Sequence, residues 1–359
     1  MPTESSTSPH SADALPSLRA PRSLRRRALF RFLWVAYVGG LLLAAGWGYR
    51  VYRLASASSS VHTGHEYWRI NYPELAQSGV LDADLRADDG YVDVLLLGAS
   101  VLEEASRELE ARLRDEFGER LRVYQLCRAA HTSRDSVLKY SRIRDKHFDL
   151  IINYDGVNDV RMNCCPEEEF RDDYTHCGWY RSMARKEAAE TVSLAELLED
   201  EVRFSIPLGE PEPELLQYGS RIKTERPFRD NLAEIIAAAR EQNIPVMLMT
   251  FAYHIPENYT RDKFDKRELD YGKGRHELPA ELWGTPGNLA RTLDRQNLMI
   301  DELASRYDNV FIVDMRRLMP ADGLHFSDPC HLTKEGNRRF VDNMMPAVST
   351  CLKSTPEGT

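Results

Sequence analysis

The sequence has few cysteines, six among 359 residues, and no surplus of positive charge. So few cysteines exclude the scaffold of a disulfide-rich miniprotein, and a hydrophobic content of 42% excludes a disordered chain. The formal net charge is −9. A nucleic-acid partner requires a basic face whose binding releases counterions, so we expect no nucleic acid to bind. The length predicts one large globular domain or two ordinary ones.

Positive charge is concentrated at the N-terminus. Residues 1–55 contain eight arginines and only two acidic residues, which leaves 39 basic and 54 acidic residues, a formal charge of −15, for the rest of the chain. Residues 32–49 contain no charged side chain. At 1.5 Å per residue a helix over this run would extend roughly 27 Å, about the thickness of a bilayer core. The sequence therefore predicts an N-terminal transmembrane helix.

Arginines flank this helix unequally, with five shortly before it and two after it. Basic residues tend to remain on the cytoplasmic side of a membrane. We expect residues 1–31, rich in Ser, Pro and Thr at their start, to form a disordered cytoplasmic tail, and residues 32–52 to form a single-pass anchor. Residues 53–90 are then a linker and lead-in, and the body of the protein is periplasmic or extracellular.

A removable secretory signal is the alternative interpretation of the N-terminus. Ala55, Ser56 and Ala57 have the small-x-small pattern of a cleavage site. Arg50 and Arg53 lie between the apolar run and this site, which disfavours cleavage. Either interpretation exports the body of the protein.

Outside the cytoplasm some of the cysteines are expected to pair. The six are Cys127, Cys164, Cys165, Cys177, Cys330 and Cys351. They allow fifteen connectivities, and the sequence does not choose among them. The group around Cys164 and His176 could bind zinc, but no two- to four-residue spacing separates a ligand pair on each side. We therefore expect loop disulfides there, and no metal.

Short apolar runs alternate with stretches of helical spacing from residue 92 onward. The predicted strands are residues 92–97, 121–127, 148–154, 244–251 and 310–314, and the predicted helices are residues 102–117, 133–146, 226–242, 288–307 and 333–352. Such alternation predicts a parallel sheet covered by helices on both faces, a three-layer α/β/α sandwich. Ligands of such sheets bind beyond the carboxyl ends of the strands.

Two long insertions interrupt the alternation, near residues 160–186 and 254–286. Aromatic residues and prolines are frequent in both, and both leave the same edge of the sheet. They could wall a cleft and select a substrate, or they could serve as peripheral packing or as a dimer surface.

Two loops at the predicted sheet edge contain groups suited to acyl transfer. Ser100 follows the first strand and begins a helix, where its N–H would favour developing negative charge. An ordinary helix cap is the alternative for this serine. Asn158, after the third strand, has a side-chain amide that could donate to an oxyanion, although Gly156 and Asn158 also suit a simple turn.

A third loop contains an acid and a histidine ahead of the last helix. Asp328 precedes His331 by three residues, a spacing at which a carboxylate can fix the tautomer of an imidazole that accepts a proton from serine. Asp322 and His325 repeat the same spacing only six residues earlier. The spacing alone therefore does not identify the base.

The joint order of these motifs is more specific. G-x-S after strand one, G-x-N-D after strand three and D-x-x-H-L-T-x-x-G before the last helix resemble the SGNH (GDSL-type) hydrolase family over residues 91–346. The resemblance implies a flavodoxin-like three-layer α/β/α fold for a domain spanning residues 91–352. It also implies that Ser100 is the nucleophile, His331 the general base and Asp328 the residue that orients it.

By the same resemblance the oxyanion hole consists of the Ser100 N–H, the Asn158 side chain and an N–H after strand two. That last position is a glycine in the family and aligns with Ala130 here, where a positive φ would cost about 1 kcal/mol or more. The acidic residue of the Gly-Asp-Ser motif is also replaced, by Ala99. We expect His131, Gly156 and Asp159 to contact substrate.

The resemblance implies a serine esterase or acylhydrolase that needs no cofactor or metal, and the N-terminal apolar run implies that it is anchored to a membrane. Its substrate would be an ester-bearing small molecule, a glycan or a lipid of the cell envelope. Two alternatives stay open, an O-acyltransferase with the same triad and a catalytically silent binding protein of the envelope.

Overall fold

The computed structural model describes residues 22–56, 61–62, 65–87, 89–189, 191–193, 196–197, 200, 202–203, 209–218 and 221–354. The chain divides into two compact units, residues 1–59 and residues 60–359. Residues 1–21 of the predicted tail and residues 57–60 of the predicted linker lie outside the described residues.

The described residues of the first unit form one helix, α1, which comprises Arg22–Ser56. Its segment Leu29–Val51 is long and apolar enough to cross a membrane. The helix begins ten residues before the predicted span, so the last part of the predicted tail is helical. A secretory signal has the same length and composition, and the helix is compatible with both interpretations of the N-terminus.

The second unit contains the sheets. Its strands are β1 (Val61–His62), β2 (Val92–Gly98), β3 (Leu121–Gln125), β4 (Leu150–Tyr154), β5 (Thr191–Val192), β6 (Val246–Met249) and β7 (Val310–Val313). Its helices are α2 (His65–Asn71), α3 (Pro73–Gln77), α4 (Ser100–Phe117), α5 (Ser133–Tyr140), α6 (Val157–Arg161), α7 (Gly178–Glu187), α8 (Pro213–Leu216), α9 (Glu225–Glu241), α10 (Arg261–Asp265), α11 (Pro286–Arg306), α12 (Met315–Leu318) and α13 (Lys334–Ser354). Two 3₁₀ turns comprise Gly118–Arg120 and Ala280–Leu282.

Five strands form one parallel sheet in the order β3-β2-β4-β6-β7. The chain passes from β2 to β3 on one side and then returns to β4 on the other side of β2. The connections after β2 and β4 therefore diverge, which leaves a crevice at the carboxyl ends of these two strands. β1 and β5 form a separate antiparallel pair.

Alternating side chains of the sheet enter two hydrophobic cores. Val94 and Leu96 of β2 pack into the core shared with α4 and α13, whereas Leu95 and Leu97 pack into the core shared with α5 and α9. All four side chains are fully buried, which is why the strand reads as an uninterrupted apolar run. The predicted three-layer α/β/α sandwich with a parallel sheet is confirmed.

Helix α5 is shorter than predicted. It ends at Tyr140, and residues 141–146 form successive turns through bonds such as Ile143 N–H to Tyr140 O and Lys146 N–H to Ile143 O. These i to i+3 bonds close a tighter turn than the helix does, and apolar spacing alone does not distinguish the two.

The lead-in before β2 is part of the packed body. Helices α2 and α3 place Tyr67, Trp68, Tyr72 and Leu75 in the core on the α5 side of the sheet, each with 2% or less of its surface exposed. The high frequency of aromatic residues in this segment indicates a packed element, and the prediction of a linker overlooked it.

The second insertion covers the carboxyl edge of the sheet. Its Gly274 forms a β-bridge with Thr333, and its Ala280 and Trp283 are buried in the core on the α4 side. The structure thus uses this insertion as a wall over the loops that precede α13.

The expected loop disulfides are absent. All six cysteines lie in the described part of the chain, and none of them forms a disulfide there. The described residues of the group around Cys164 and His176 also do not gather as metal ligands within one site.

Candidate active site

Ser100 lies where β2 passes into α4. Gly98 ends the strand, and a Cβ at this position would lie 2.6 Å from the Tyr154 carbonyl oxygen of β4, so only glycine fits the close approach. Ala99 is the extended N-cap residue, and the first helical hydrogen bond runs from Glu103 N–H to Ala99 O. The Ser100 N–H therefore has no acceptor within the helix and lies at its positive end.

A continuous hydrogen-bonded chain joins the predicted serine, histidine and aspartate. The Ser100 Oγ lies 2.9 Å from His331 Nε2, and His331 Nδ1 lies 2.7 Å from Asp328 Oδ2. All three side chains are buried, with 4% or less of each residue exposed. The serine and the histidine are separated by 231 residues in the chain, so the fold itself creates this contact.

Backbone groups hold Asp328 in place. Its Oδ1 accepts the N–H groups of Cys330, at 2.9 Å, and of His331, at 2.8 Å, and its Oδ2 accepts the Leu278 N–H at 2.9 Å. These donors satisfy the carboxylate without water. A carboxylate fixed in this way can hold the imidazole ring and its tautomer.

The electrostatics of the pair favour an ionised aspartate beside a basic histidine. Burial opposes the charge on Asp328, but the His331 charge and the hydrogen bonds outweigh it and lower the pKa of Asp328. Burial likewise opposes protonation of His331, yet the Asp328 charge outweighs it and raises the pKa of His331. The imidazole is thus a stronger base than an ordinary histidine.

The second D-x-x-H pair lies apart from the serine. His325 Nδ1 contacts Asp322 Oδ1 at 2.7 Å, the same local geometry as in the first pair. The serine hydroxyl, however, contacts His331. Thr333 and Gly336 of the D-x-x-H-L-T-x-x-G motif have structural roles. The Thr333 hydroxyl accepts the Gly336 N–H, and a Cβ on Gly336 would lie 2.0 Å from the His325 carbonyl oxygen.

The loop after β3 is tied to the start of α4. Arg128 N–H donates to Gly98 O at 3.2 Å, and Ala129 N–H donates to the Glu103 carboxylate at 2.8 Å. Ala130 follows with a φ of 67°, the left-handed region that glycine adopts without strain. The methyl group of Ala130 is therefore strained, and its N–H lies in the loop next to the Ser100 helix.

The strain at Ala130 predicts that a glycine there would raise the free energy of unfolding. Ala130→Gly should raise the free energy of unfolding by up to about 1 kcal/mol, because relief of the left-handed strain exceeds the added entropy of the unfolded chain. Ala129→Gly is the matched control, since φ of Ala129 is not positive, and should lower the free energy of unfolding by about 0.5–1 kcal/mol. Urea denaturation of the three proteins measures both. Destabilisation by both substitutions would show that Ala130 is not strained.

Asn158 is oriented by two contacts. Its Nδ2 donates to the His131 carbonyl oxygen at 2.8 Å, and its Oδ1 accepts the Trp283 Nε1–H at 3.4 Å. The Trp283 ring centroid lies 6.3 Å from that of His331, which places the amide beside the histidine. One of the two amide hydrogens has no part in the bond to His131 and is available to another acceptor.

Asp159 and His131 have internal partners. Asp159 is fully buried and accepts hydrogen bonds from the hydroxyls of Ser133, at 2.5 Å, and Tyr174, at 2.8 Å, while burial raises its pKa to about 7. His131 Nδ1 lies 3.1 Å from Lys139 Nζ, and burial lowers the pKa of His131 to about 3. The structure thus places both side chains in networks beneath the loops, without a contact to the Ser100 hydroxyl.

Gly156 also has a packing role. It is the N-cap residue of α6, and a Cβ there would lie 2.8 Å from the Phe251 ring. The close approach allows the chain to turn directly after β4 and to present Asn158 two residues later.

Two residues next to the histidine were missed by sequence reasoning. The Glu104 side chain, 6% exposed, lies one helical turn after Ser100, and its Oε1 is 3.2 Å from His276 Nε2. The His276 ring centroid lies 4.6 Å from that of His331. The position of Glu104 four residues after the serine was an available signal. His276, within a long insertion, had none.

Asp328, Cys330 and His331 are also the described residues that gather within metal-ligand distance. The Cys330 Sγ lies 3.4 Å from His331 Nδ1, and burial raises the pKa of the thiol, which disfavours the thiolate form that binds metals. Both nitrogens of His331 are engaged, one by Asp328 and one by Ser100. The arrangement fits proton transfer along hydrogen bonds.

No protein-family model and no curated protein sequence matches the chain. Among solved structures, it is similar to a GDSL-like lipase from Bacteroides thetaiotaomicron VPI-5482, with 13% identity, a TM-score of 0.46, and 78% of this chain and 98% of that one covered. It is also similar to a catalytic mutant of an acetylxylan esterase from Geobacillus stearothermophilus, with 11% identity, a TM-score of 0.42, and 73% and 96% covered. At TM-scores below 0.5, the function has to be judged from this chain's own residues.

Proposed function

We propose that the protein is a serine acylhydrolase of the SGNH type that cleaves carboxylic esters. The observation that supports it most is the unbroken chain from the Ser100 hydroxyl through His331 to Asp328, at 2.9 Å and 2.7 Å. Such a relay activates a serine oxygen for attack on an acyl carbon. Its place at the carboxyl ends of β2 and β4 agrees with where α/β sheets bind ligands.

In the first half-reaction the Ser100 Oγ attacks the ester carbonyl carbon while His331 Nε2 accepts the hydroxyl proton. The carbonyl oxygen becomes an oxyanion, for which the N–H groups of Ser100 and Ala130 and the Asn158 amide are the proposed donors. Asp328 stabilises the imidazolium that forms. When the tetrahedral intermediate collapses, His331 returns the proton to the leaving alcohol, and an acyl-serine remains.

In the second half-reaction a water molecule replaces the alcohol. His331 accepts a proton from the water as it attacks the acyl carbon, and then returns it to Ser100 Oγ as the acid departs. His331 is thus the group that accepts and returns the proton in both half-reactions. The raised pKa of His331 makes each proton acceptance more favourable than for an ordinary histidine.

We also propose that α1 anchors the enzyme, with the N-terminus in the cytoplasm and the hydrolase unit outside it. The length and apolar character of Leu29–Val51 support a membrane span, and the five arginines before it support the orientation. Ester-bearing glycans or lipids of the cell envelope would then be within reach. Alkaline extraction of membranes should leave the protein in the pellet, whereas a cleaved signal would release a shorter soluble form.

The proposed function is tested by reaction with a fluorophosphonate. The purified protein should lose hydrolysis of p-nitrophenyl butyrate in step with labelling, and mass spectrometry should locate the phosphonate on Ser100. Catalytic nucleophiles react this way because the relay deprotonates them, whereas an ordinary buried serine does not. A folded protein that takes up no label and cleaves no ester would contradict the proposal and support a catalytically silent protein.

Loss of one oxyanion donor should slow the chemical step strongly. Asn158→Ala is expected to lower kcat on the order of a hundredfold, because a preorganised donor of this kind contributes about 3 kcal/mol to transition-state stabilisation. Asn343→Ala, a change of the same type on α13, should leave kcat within about twofold. Stopped-flow acylation rates give the comparison, and equal losses in the two variants would argue against Asn158 as a donor.

The Glu104 side chain should affect the acid limb of the pH profile of kcat/KM. Hydrolysis needs neutral His331, so kcat/KM should fall as the pH drops through the His331 pKa, which lies above its usual value. The Glu104 charge is one of the causes of that rise, so Glu104→Gln should move the acid limb to lower pH. Glu110→Gln, farther along the same helix, should not move it. An unchanged or upward-shifted limb in Glu104→Gln would contradict this coupling.

A further inference from the structure

A groove beside the proposed catalytic residues is unusually rich in positive charge. It has a volume of about 450 Å³, and its lining includes Arg107, Lys273, Arg275, Lys334 and Arg338. Two acids, Glu104 and Glu108, also line it. The rest of the chain after residue 55 carries a formal charge of −15, so a cluster of five cations here is contrary to the overall trend.

Three of these cations have no carboxylate partner. Arg107, Lys273 and Lys334 are exposed, and no carboxylate of the described residues lies within ion-pair distance of any of them. Arg275 has only a long contact, 3.7 Å, to Glu103. Unneutralised cations in a concave site focus their field and raise the local concentration of anions.

The groove is lined by residues that neighbour the proposed catalytic residues in the chain. Glu104, which lines it, lies four residues after Ser100 on α4, a separation of roughly 6 Å along the helix. Leu332, which also lines it, is bonded directly to His331. The three walls of the groove are α4, the 273–275 segment of the second insertion and the start of α13. The first wall carries Ser100, and the third follows His331 in the chain.

One wall also contains a buried carboxylate. The Glu104 side chain is only 6% exposed, and its Oε1 lies 3.2 Å from His276 Nε2. Burial, the largest cause, raises the pKa of Glu104, so this carboxylate is protonated more readily than an ordinary glutamate when an anion binds beside it.

From these observations we propose that the groove binds a negatively charged group, a carboxylate or a phosphate, that the ester substrate carries close to its scissile bond. The proposal rests on the proposed function and adds a substrate class, anionic acyl esters. Lys273 and Lys334, from two different walls, neutralise the anion, and arginine completes its coordination. A neutral ester of the same size would lack these contacts and bind more weakly.

The test compares matched esters on the full chain in detergent. One pair is p-nitrophenyl hemisuccinate and p-nitrophenyl butyrate, and the other is a monoacylglycerol phosphate and the same monoacylglycerol, so the two pairs distinguish a carboxylate from a phosphate. In the double variant Lys273→Gln with Lys334→Gln, kcat/KM for the preferred anionic ester should fall at least tenfold, while its neutral partner changes less than twofold. Added NaCl should lower kcat/KM for the anionic ester in the wild type, and it should leave this value nearly unchanged in the double variant.

The control variant is Lys266→Gln with Lys353→Gln, which removes the same charge outside the groove, and it should leave both pairs unchanged. Lys353 lies at the opposite end of α13 from Lys334, roughly 28 Å away. Equal losses for neutral and anionic esters, or no loss for either anionic ester, would overturn the groove as an anion site. Turnover of the neutral esters by the wild type reports the proposed function separately.

Discussion

Hydrolysis of p-nitrophenyl butyrate should fall by about six orders of magnitude in kcat when His331 is replaced by alanine. Removal of the base from a serine relay costs on this order, because the serine hydroxyl then has no proton acceptor in the transition state. The 2.9 Å contact of its Nε2 with Ser100 Oγ supports this proposed role for His331. Ser100→Ala should cost about as much, since the two residues act as one unit.

His325→Ala is the matched control for that loss. His325 has the same spacing from an aspartate and the same 2.7 Å contact to it, but its partner is Asp322. We expect kcat of this variant to stay within about twofold of the wild type, and circular dichroism should show that both variants are folded. A large loss in His325→Ala with little loss in His331→Ala would reverse the assignment of the base.

Asp328→Asn should lower kcat on the order of ten-thousandfold near neutral pH. The substitution preserves size but removes the charge that stabilises the imidazolium, and an amide can hold the imidazole in the wrong tautomer. Asp328 Oδ2 is 2.7 Å from His331 Nδ1 and is fully buried, so no water substitutes for it. The remaining rate would come from the oxyanion donors and from substrate binding.

Asp322→Asn is the corresponding control, and it should leave kcat nearly unchanged. Fluorophosphonate labelling of Asp328→Asn should be slow but should still occur at Ser100, because the nucleophile remains in place. The thermal transition should show whether the loss of rate comes from unfolding. A folded Asp328→Asn enzyme with close to wild-type kcat would show that the carboxylate does not orient the base.

The layers of the fold could be predicted because burial on both faces leaves a direct imprint on composition. Strands such as residues 92–97 are apolar without interruption, and the helices between them show one apolar face. The contact of Ser100 with His331 was implied by the resemblance of the motifs to the SGNH family. Strand order and end positions depend on backbone geometry, which the side-chain pattern specifies only weakly.

The remainder of the site depends on tertiary contacts between distant segments. His276 reaches His331 only because the second insertion folds back over the sheet edge, and no local pattern encodes that path. The sequence showed that a positive φ at Ala130 would be strained. It could not show that φ is positive there, since alanine gives no signal of a left-handed turn. The prediction of disulfides was wrong for the same reason, because pairing requires the thiols to be adjacent in space.

The hydrogen bond from Leu278 N–H to Asp328 Oδ2 ties the second insertion to the acid of the relay. The same insertion supplies Lys273 and Arg275 to the basic groove. Changes that re-shape this segment to admit a new substrate would therefore also disturb the alignment of the proton relay. The proposed anion site and the proposed relay share one piece of backbone, so engineering one of them would require re-optimising the other.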